Sequence, residues 1–83
     1  MKVAIRYFAS VREALGAGET VEVEAGATVG AVRDLLIGRD AAHAAALGRG
    51  RAVRSALNQV LCDEAAVLPE GAEIGFFPPV TGG

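Results

Sequence analysis

Residues 19–38, ETVEVEAGATVGAVRDLLIG, change their hydrophobic period halfway along and so decide the fold. In the first half, valines alternate with glutamates, which predicts a strand with one buried face. In the second half, apolar residues recur at helical spacing, at Val29, Val32 and Leu36. Thr28 is a suitable N-cap, and the glycine after the run ends the helix. The stretch therefore predicts a strand that leads directly into a helix.

The preceding stretch KVAIRYF, residues 2–8, also alternates and predicts an antiparallel partner for the strand over 19–25. Its buried face comprises Val3, Ile5 and Tyr7, and its exposed face comprises Lys2, Ala4, Arg6 and Phe8. Between the two strands, SVRE is a capping box with Ser10 as the N-cap and Glu13 three residues later. We expect one helical turn there, ending before Gly16.

Downstream of residue 38, three further elements are predicted. Residues 40–47 are rich in alanine and predict a second, shorter helix. Residues 54–60, RSALNQV, predict a strand, although Asn58 and Gln59 suit either a functional polar pair or a turn contact. Residues 73–77, EIGFF, predict the last strand, because the two prolines that follow cannot donate hydrogen bonds to a ladder.

The element order is strand, strand, helix, strand, strand, with a short helical insertion after the main helix. A hairpin followed by a helix that crosses one sheet face is an α+β roll. This order resembles the β-grasp, or ubiquitin-like, fold, which implies a mixed sheet whose last strand lies parallel to the first at its centre. We expect one β-grasp domain over residues 1–79 and a flexible Gly-Gly tail over residues 80–83.

Composition narrows the function classes. A chain of 83 residues with a net charge of −2 is one globular domain and lacks the basic excess of a general nucleic-acid binder. No signal peptide or membrane span is visible, so we expect a cytoplasmic protein without membrane or nucleic-acid partners. The single cysteine, Cys62, forms no internal disulfide, and Asp63 and Glu64 disfavour its thiolate. His43 has no evident partner within its segment and is expected to be a surface residue, with no metal site.

The basic and acidic residues are unevenly distributed. All eight basic residues lie at or before Arg54, whereas Asp63, Glu64, Glu70 and Glu73 make the final third acidic. Such a segment is either a solvated edge or a surface that docks onto a basic partner.

The closing residues 76–83, FFPPVTGG, combine a stiff stem with a bare end. Pro78 and Pro79 fix an extended exit direction, and Gly82 and Gly83 lack side chains, so that the end fits a narrow channel. A terminal carboxylate is ionised at neutral pH and must be activated before it reacts, most simply as an acyl-adenylate. The tail therefore implies an adenylating partner; the alternative is an inert end with accidental glycines.

Three segments resemble the small subunit of molybdopterin synthase, the MoaD family: YFASVRE at 7–13, ALNQVL at 56–61 and LPEGAEIGFFPPVTGG at 68–83. The resemblance implies a sulfur carrier whose C-terminal Gly83 is adenylated by a ubiquitin-activating-type adenylyltransferase, which consumes ATP. Sulfur from a persulfide donor then gives a covalent 1-thioglycine at Gly83, with no other bound cofactor.

The resemblance also implies where the sulfur goes. The tail, with Pro78, Pro79, Val80, Thr81 and Gly82 as threading residues, enters the large subunit of the synthase. Two successive carriers there convert cyclic pyranopterin monophosphate into molybdopterin, within a heterotetramer that has two large subunits at its centre. The chain is thus not an enzyme alone but one subunit of a sulfurtransferase.

Side-chain parity assigns the aromatic residues of the last strand. Phe76 falls on the face predicted to be buried, whereas Phe77 shares the open face with Phe8 of the first strand. Two neighbouring exposed phenylalanines suggest a partner site. We therefore expect Phe8 and Phe77 to anchor the large subunit, with Arg12 adding a polar contact.

Other functions fit the same fold. The chain could carry sulfur for another pathway, such as thiamine synthesis, which shares the fold and the Gly-Gly end. It could be a ubiquitin-like modifier, although Lys2 is its only lysine and limits self-linked chains to that residue or the N-terminus. It could also be an adaptor with an inert tail.

Overall fold

The computed structural model describes residues 1–79, and there five strands form one mixed sheet connected by three helices. The strands are β1 Lys2–Tyr7, β2 Gly18–Glu22, β3 Arg54–Leu57, β4 Val60–Cys62 and β5 Glu73–Phe77; the helices are α1 Ala9–Leu15, α2 Val29–Ile37 and α3 Ala41–Leu47. The strand order is β2-β1-β5-β3-β4, and β5 is parallel to β1 and antiparallel to β3. The predicted β-grasp fold is confirmed. None of these helices is long and apolar enough to cross a bilayer.

Helix α2 covers one face of the sheet and builds the core. It begins where the sequence predicts, because the Thr28 hydroxyl accepts a hydrogen bond from the Ala31 N–H at 3.1 Å. Its apolar stripe is fully buried at Val29, Val32 and Leu36. The sheet contributes side chains of alternate residues to the same core, namely Val3, Ile5, Tyr7, Val21, Ile74 and Phe76.

The capping box predicted for α1 is wrong. The N-cap is Phe8, in extended conformation and without a side-chain cap, and Ser10 lies inside the helix. The sheet sets this boundary: the Phe8 N–H still donates to the Phe76 carbonyl at 3.1 Å, while the Phe8 carbonyl already accepts from Val11 and Arg12. The chain therefore turns from strand to helix within one residue, two positions before the predicted cap.

The single strand predicted over 54–60 is a hairpin of β3 and β4. Its turn residues, Asn58 and Gln59, have φ values of 49° and 70°, the left-handed pair that a two-residue type I′ turn requires. The Asn58 side chain accepts a hydrogen bond from the Glu73 N–H at 2.9 Å, which ties the turn to the start of β5. The sequence pattern does not indicate this hairpin, because the turn lacks the glycine that usually marks a two-residue turn.

Candidate functional site

The tail leaves the sheet from its central strand. β5 is paired on one side with β1 and on the other with β3, in registers that place Tyr7 beside Phe76 and Arg54 opposite Phe77. We call residues 77–79 the tail root; Pro78 and Pro79 are both half-buried. Hydrogen-bonded ladders on both sides fix the direction in which the tail root leaves the domain. The predicted tail residues Val80, Thr81, Gly82 and Gly83 lie outside the described residues.

The sheet face opposite α2, here called the open face, carries an apolar strip beside the tail root. Phe8 is 42% exposed, and its ring lies over Gly75: a Cβ built on Gly75 would stand 3.0 Å from the ring atom Cε2. Phe77 shares this face but is half-buried, so the prediction of two exposed phenylalanines is correct for Phe8 and wrong for Phe77. Phe76, on the opposite face, is fully buried, so the predicted face assignment agrees with the structure. The anchoring role of Phe8 and Phe77 stays a prediction.

The strip extends onto the second hairpin, which the sequence did not predict. Ala56 on β3 lies opposite Gly75, and Leu61 on β4 lies opposite Ala56, so that all three share the open face. Leu61 is 59% exposed, a high value for a leucine in a strand. The position of Leu61 on the open face can be predicted only once the turn at Asn58 is recognised, because the turn sets the register of β4.

Beyond the end of β5, a shallow cavity of about 320 Å³ opens between α1, α3 and the loop before β3. Ser10, Arg51 and Pro78 contribute to its wall, so it reaches the tail root. Arg12, the predicted polar contact, is exposed on α1, and its N–H donates to the Phe8 carbonyl. Arg12 therefore lies one helical turn from the anchor that it is predicted to support.

A charged cluster around Arg33 binds the C-terminal end of α3. Arg33 on α2 is 5% exposed and donates to the carbonyl oxygens of Leu47 and Gly48 at 2.7 and 2.9 Å. These are carbonyls that a helix end leaves without intrahelical partners. Arg33 also pairs with Glu64 at 2.7 Å, and Glu64 accepts from Arg49 as well. Burial works to raise the pKa of Glu64, but the two guanidinium groups outweigh it and lower that pKa.

A second cluster surrounds Glu19 on β2. The Tyr7 hydroxyl donates to Glu19 Oε2 at 2.6 Å, His43 Nε2 lies 2.7 Å from the same oxygen, and Arg39 pairs with Oε1. The second ring nitrogen of His43 lies 2.8 Å from Asp40 Oδ1. The prediction of a surface histidine without partners is therefore wrong: the side chain is 12% exposed and links α3 to the sheet.

Hydrogen-bond geometry sets the charge of His43. Both ring nitrogens face carboxylate oxygens, and only the doubly protonated ring donates to both. Burial opposes this charge, but Glu19 and Asp40 outweigh it and raise the pKa of His43. Burial, followed by the hydrogen bond to Glu19, raises the pKa of Tyr7 well above its ordinary value. Burial works to raise the pKa of Glu19, but its donors lower it. This cluster supports the fold.

Two further groups were considered from the sequence. Cys62 is partly buried, with its sulfur 3.8 Å from the Ser55 hydroxyl. Within residues 1–79, no three His, Cys, Asp or Glu side chains are grouped so that they could hold a metal ion. The feature that distinguishes the described surface is thus the apolar strip beside the tail root.

Sequence similarity to known proteins extends over nearly the whole chain. The ThiS family model matches residues 5–83. A molybdopterin synthase sulfur carrier subunit of Escherichia coli is 37% identical over 81 residues, covering 98% of this chain and 99% of that protein. A protein of the same description from Haemophilus influenzae is 38% identical over 79 residues, covering 95% and 96% of the two chains.

Solved structures share the fold. A putative molybdopterin converting factor subunit 1 from Pyrococcus furiosus matches with a TM-score of 0.79 at 27% identity, over 96% of this chain and 99% of that one. Small archaeal modifier protein 1 from Haloferax volcanii matches with a TM-score of 0.76 at 27% identity, over 95% and 98%. A chain in a complex of subunits 1 and 2 of molybdopterin-converting factor from Helicobacter pylori matches with a TM-score of 0.69 at 26% identity, over 100% of both chains.

Proposed function

Because the chain belongs to the ThiS family and, within it, to the sulfur carrier subunits of molybdopterin synthase, we propose that it carries sulfur on Gly83. The observation that carries this proposal is the 37% identity to the Escherichia coli subunit over 98% of this chain. The family match also runs through the tail to residue 83. The chain does not act alone in this proposal; it supplies sulfur to a larger synthase subunit.

In the proposed loading reaction, Gly83 is the carboxyl terminus and its carboxylate is the reacting group. An adenylyltransferase of the ubiquitin-activating type joins the carboxylate to the AMP moiety of ATP and releases pyrophosphate. A persulfide sulfur attacks the activated carbonyl carbon, and AMP leaves. A second thiol cleaves the resulting sulfur–sulfur bond and leaves the thiocarboxylate, 1-thioglycine. The product is anionic at neutral pH and nucleophilic, as a thiolate is.

In the proposed delivery step, the loaded tail enters the active site of the large subunit. There its sulfur is transferred to cyclic pyranopterin monophosphate, and a second loaded carrier completes the dithiolene of molybdopterin. The position of the tail root supports this role, because β5 is held by a strand on each side. A stem with a fixed direction lowers the entropy lost when the tail is threaded into a channel. The assembly proposed is a heterotetramer with two large subunits at its centre.

The open face is the proposed docking surface for the large subunit. Phe8 and Leu61 are well exposed, and with Phe77 they form an apolar strip beside the tail root. Buried aromatic and aliphatic anchors supply most of the energy in protein interfaces. Arg12 contributes a polar contact at the rim. The Helicobacter pylori complex of subunits 1 and 2, one chain of which has this fold, supports a partner of the large-subunit type.

Deletion of Gly83 tests the proposal. The chain is incubated with the large subunit, the adenylyltransferase, a persulfide donor, ATP and cyclic pyranopterin monophosphate, and both molybdopterin and the intact mass of the chain are measured. We expect the deletion to abolish sulfur loading without changing the melting temperature, because residues 1–79 build the described fold. A Cys62→Ser control should load normally. A shortened chain that still yields molybdopterin contradicts the proposal.

A protein modifier is the second candidate, favoured by the TM-score of 0.76 to small archaeal modifier protein 1. A modifier becomes joined through Gly83 to a lysine of another protein, whereas a carrier exchanges one terminal oxygen for sulfur. Intact-mass and peptide mass spectrometry of the protein from its own cells separate the two. A branched peptide supports modification, and a terminal thiocarboxylate supports sulfur transport. A sulfur carrier for another pathway would show the thiocarboxylate but would not bind the large subunit.

A further inference from the structure

The arginines of this chain divide into two groups. Within residues 1–79, Arg33, Arg39 and Arg49 form ion pairs with carboxylates on neighbouring elements. These pairs join helices, strands and loops, so their charges are used within the fold. The remaining four arginines, Arg6, Arg12, Arg51 and Arg54, are exposed and form no ion pair with any carboxylate of residues 1–79.

Two of these four arginines lie on the open face beside the tail root. Arg54 on β3 is the register partner of Phe77, the last residue of β5. Arg6 on β1 is the register partner of Gly75, and its guanidinium lies 5.8 Å from the centre of the Phe8 ring. Both side chains therefore border the apolar strip rather than the outer edges of the sheet.

The other two flank the tail root from the helical side. Arg12 is on α1, which begins immediately after Phe8. Arg51 lines the cavity whose wall includes Pro78. The four unpaired arginines thus come from β1, α1, the loop before β3 and β3, and all lie toward the end of the sheet where the tail root leaves.

Three acidic side chains without arginine partners, Glu22, Glu70 and Glu73, lie at the opposite end of the sheet. Two others, Glu13 on α1 and Asp63 directly after β4, lie at the tail-root end, where they leave the four arginines in excess. β1 and β5 are parallel, so their starts, near Glu22 and Glu73, lie away from the tail root. Glu70 occupies the turn before β5, and Glu22 is 68% exposed. Apart from Lys2, the basic side chains of residues 1–79 that form no ion pair therefore lie toward the end of the sheet where the tail leaves, in a chain whose net charge is −2.

We propose that Arg6, Arg12, Arg51 and Arg54 form a basic collar that recognises an acidic rim on the protein that receives the tail. The proposal rests on the proposed function, since it names the chemistry of the partner surface at the same site. Four exposed like charges repel one another, so their gathering does not stabilise the free domain. Set against carboxylates around a channel entrance, they orient the carrier with its tail forward and accelerate encounter. This polarity is opposite to docking of the acidic final third on a basic partner.

Charge reversal at the two ends of the sheet tests the collar. Arg54→Glu removes a collar charge, and Lys2→Glu makes the same change at the far end of β1; both side chains are exposed. Association rate constants with the large subunit are measured by stopped flow at several salt concentrations. We expect Arg54→Glu to slow association about five- to tenfold at low salt and Lys2→Glu to change it less than about twofold. The difference should disappear near roughly 0.5 M salt, where screening is strong.

Arg51→Glu is the second collar variant, on a different element, and should reproduce the result with an unchanged melting temperature. Equal rate constants for the Arg54, Arg51 and Lys2 variants, or slowing that persists at high salt, overturn the collar. Sulfur loading of the same preparations separates this failure from failure of the proposed function. If the wild-type chain is loaded but the variants associate alike, only the collar is wrong; if it is neither loaded nor bound by the large subunit, both are wrong.

Discussion

Replacement of Phe76 by alanine should unfold the domain at a much lower temperature, whereas replacement of Phe77 should not. Phe76 is fully buried, on the face of β5 that α2 covers. Truncating a buried phenylalanine costs about 3–5 kcal/mol, because transfer energy is lost and a cavity remains. Domains of this size have about 0.05–0.15 kcal/mol of stability per residue, or roughly 4–12 kcal/mol in total. The change therefore removes a quarter or more of the free energy of unfolding.

Phe8 and Phe77 provide the matched comparison, since both lie on the open face. Each should lose less folding stability than Phe76 when cut to alanine, about 1–2 kcal/mol, because Phe8 is 42% exposed and Phe77 is half-buried in the free domain. Each should weaken binding to the large subunit by about 2 kcal/mol, which is roughly a 30-fold increase in Kd. Phe76→Ala, where it remains folded at low temperature, should bind with nearly the wild-type Kd.

Thermal melts followed by circular dichroism and binding titrations on the three single variants provide the two readouts. With about 4–8 °C lost per kcal/mol in a small domain, Phe76→Ala should melt at least about 12 °C below the wild type. If Phe77→Ala unfolds the chain while Phe76→Ala only weakens binding, the assignment of the two faces of β5 is inverted. If neither Phe8→Ala nor Phe77→Ala changes the Kd, the open face is not the docking surface.

Three further changes probe the clusters and the strip. Arg33→Lys should lower the free energy of unfolding in urea by about 2–4 kcal/mol, because an ammonium cannot reach the carbonyls of α3 and Glu64 together; a variant as stable as wild type refutes this role. The stabilisation from His43, the only histidine, should be complete below its unfolded pKa of about 6.5 and be lost as the pH rises through its raised folded pKa. Proton NMR titration of His43 and measurement of the free energy of unfolding at several pH values check this pH dependence. If His43→Gln shows the same dependence of stability on pH, the prediction is contradicted. Leu61→Ser should weaken binding to the large subunit at least about tenfold without lowering the melting temperature, because Leu61 is exposed in the free domain; an unchanged Kd removes it from the interface.

The sequence pattern predicts the parts of the fold that depend only on residues close together in the sequence. The α2 helix begins at Thr28 because cap and apolar stripe lie within one segment. Phe76 and Phe77 were assigned to opposite faces because a strand has a period of two residues. The hairpin was missed because Gln59 is not a usual residue at positive φ, and its adoption of that conformation depends on the ladders of β3 and β4.

The charged clusters could not be predicted, because their partners are distant in sequence. Glu19 and His43 are 24 residues apart and meet only once α3 has packed beside the sheet. Arg33 lies at the i+4 position of the buried stripe of α2, but its partners, the Leu47 carbonyl and Glu64, are 14 and 31 residues away in the sequence. The same limit applies to the arginines around the tail root, which four separate elements bring together.

The position of β5 ties folding to the progress of translation. Residues 73–77 are the last described strand to be synthesised, yet they lie between β1 and β3. Until the ribosome has made them, both neighbours keep an unpaired edge and the core lacks Phe76, so the sheet cannot close. A chain interrupted upstream therefore never displays the surface from which the tail departs. A partner that recognises the folded domain consequently binds only chains whose synthesis has passed residue 77.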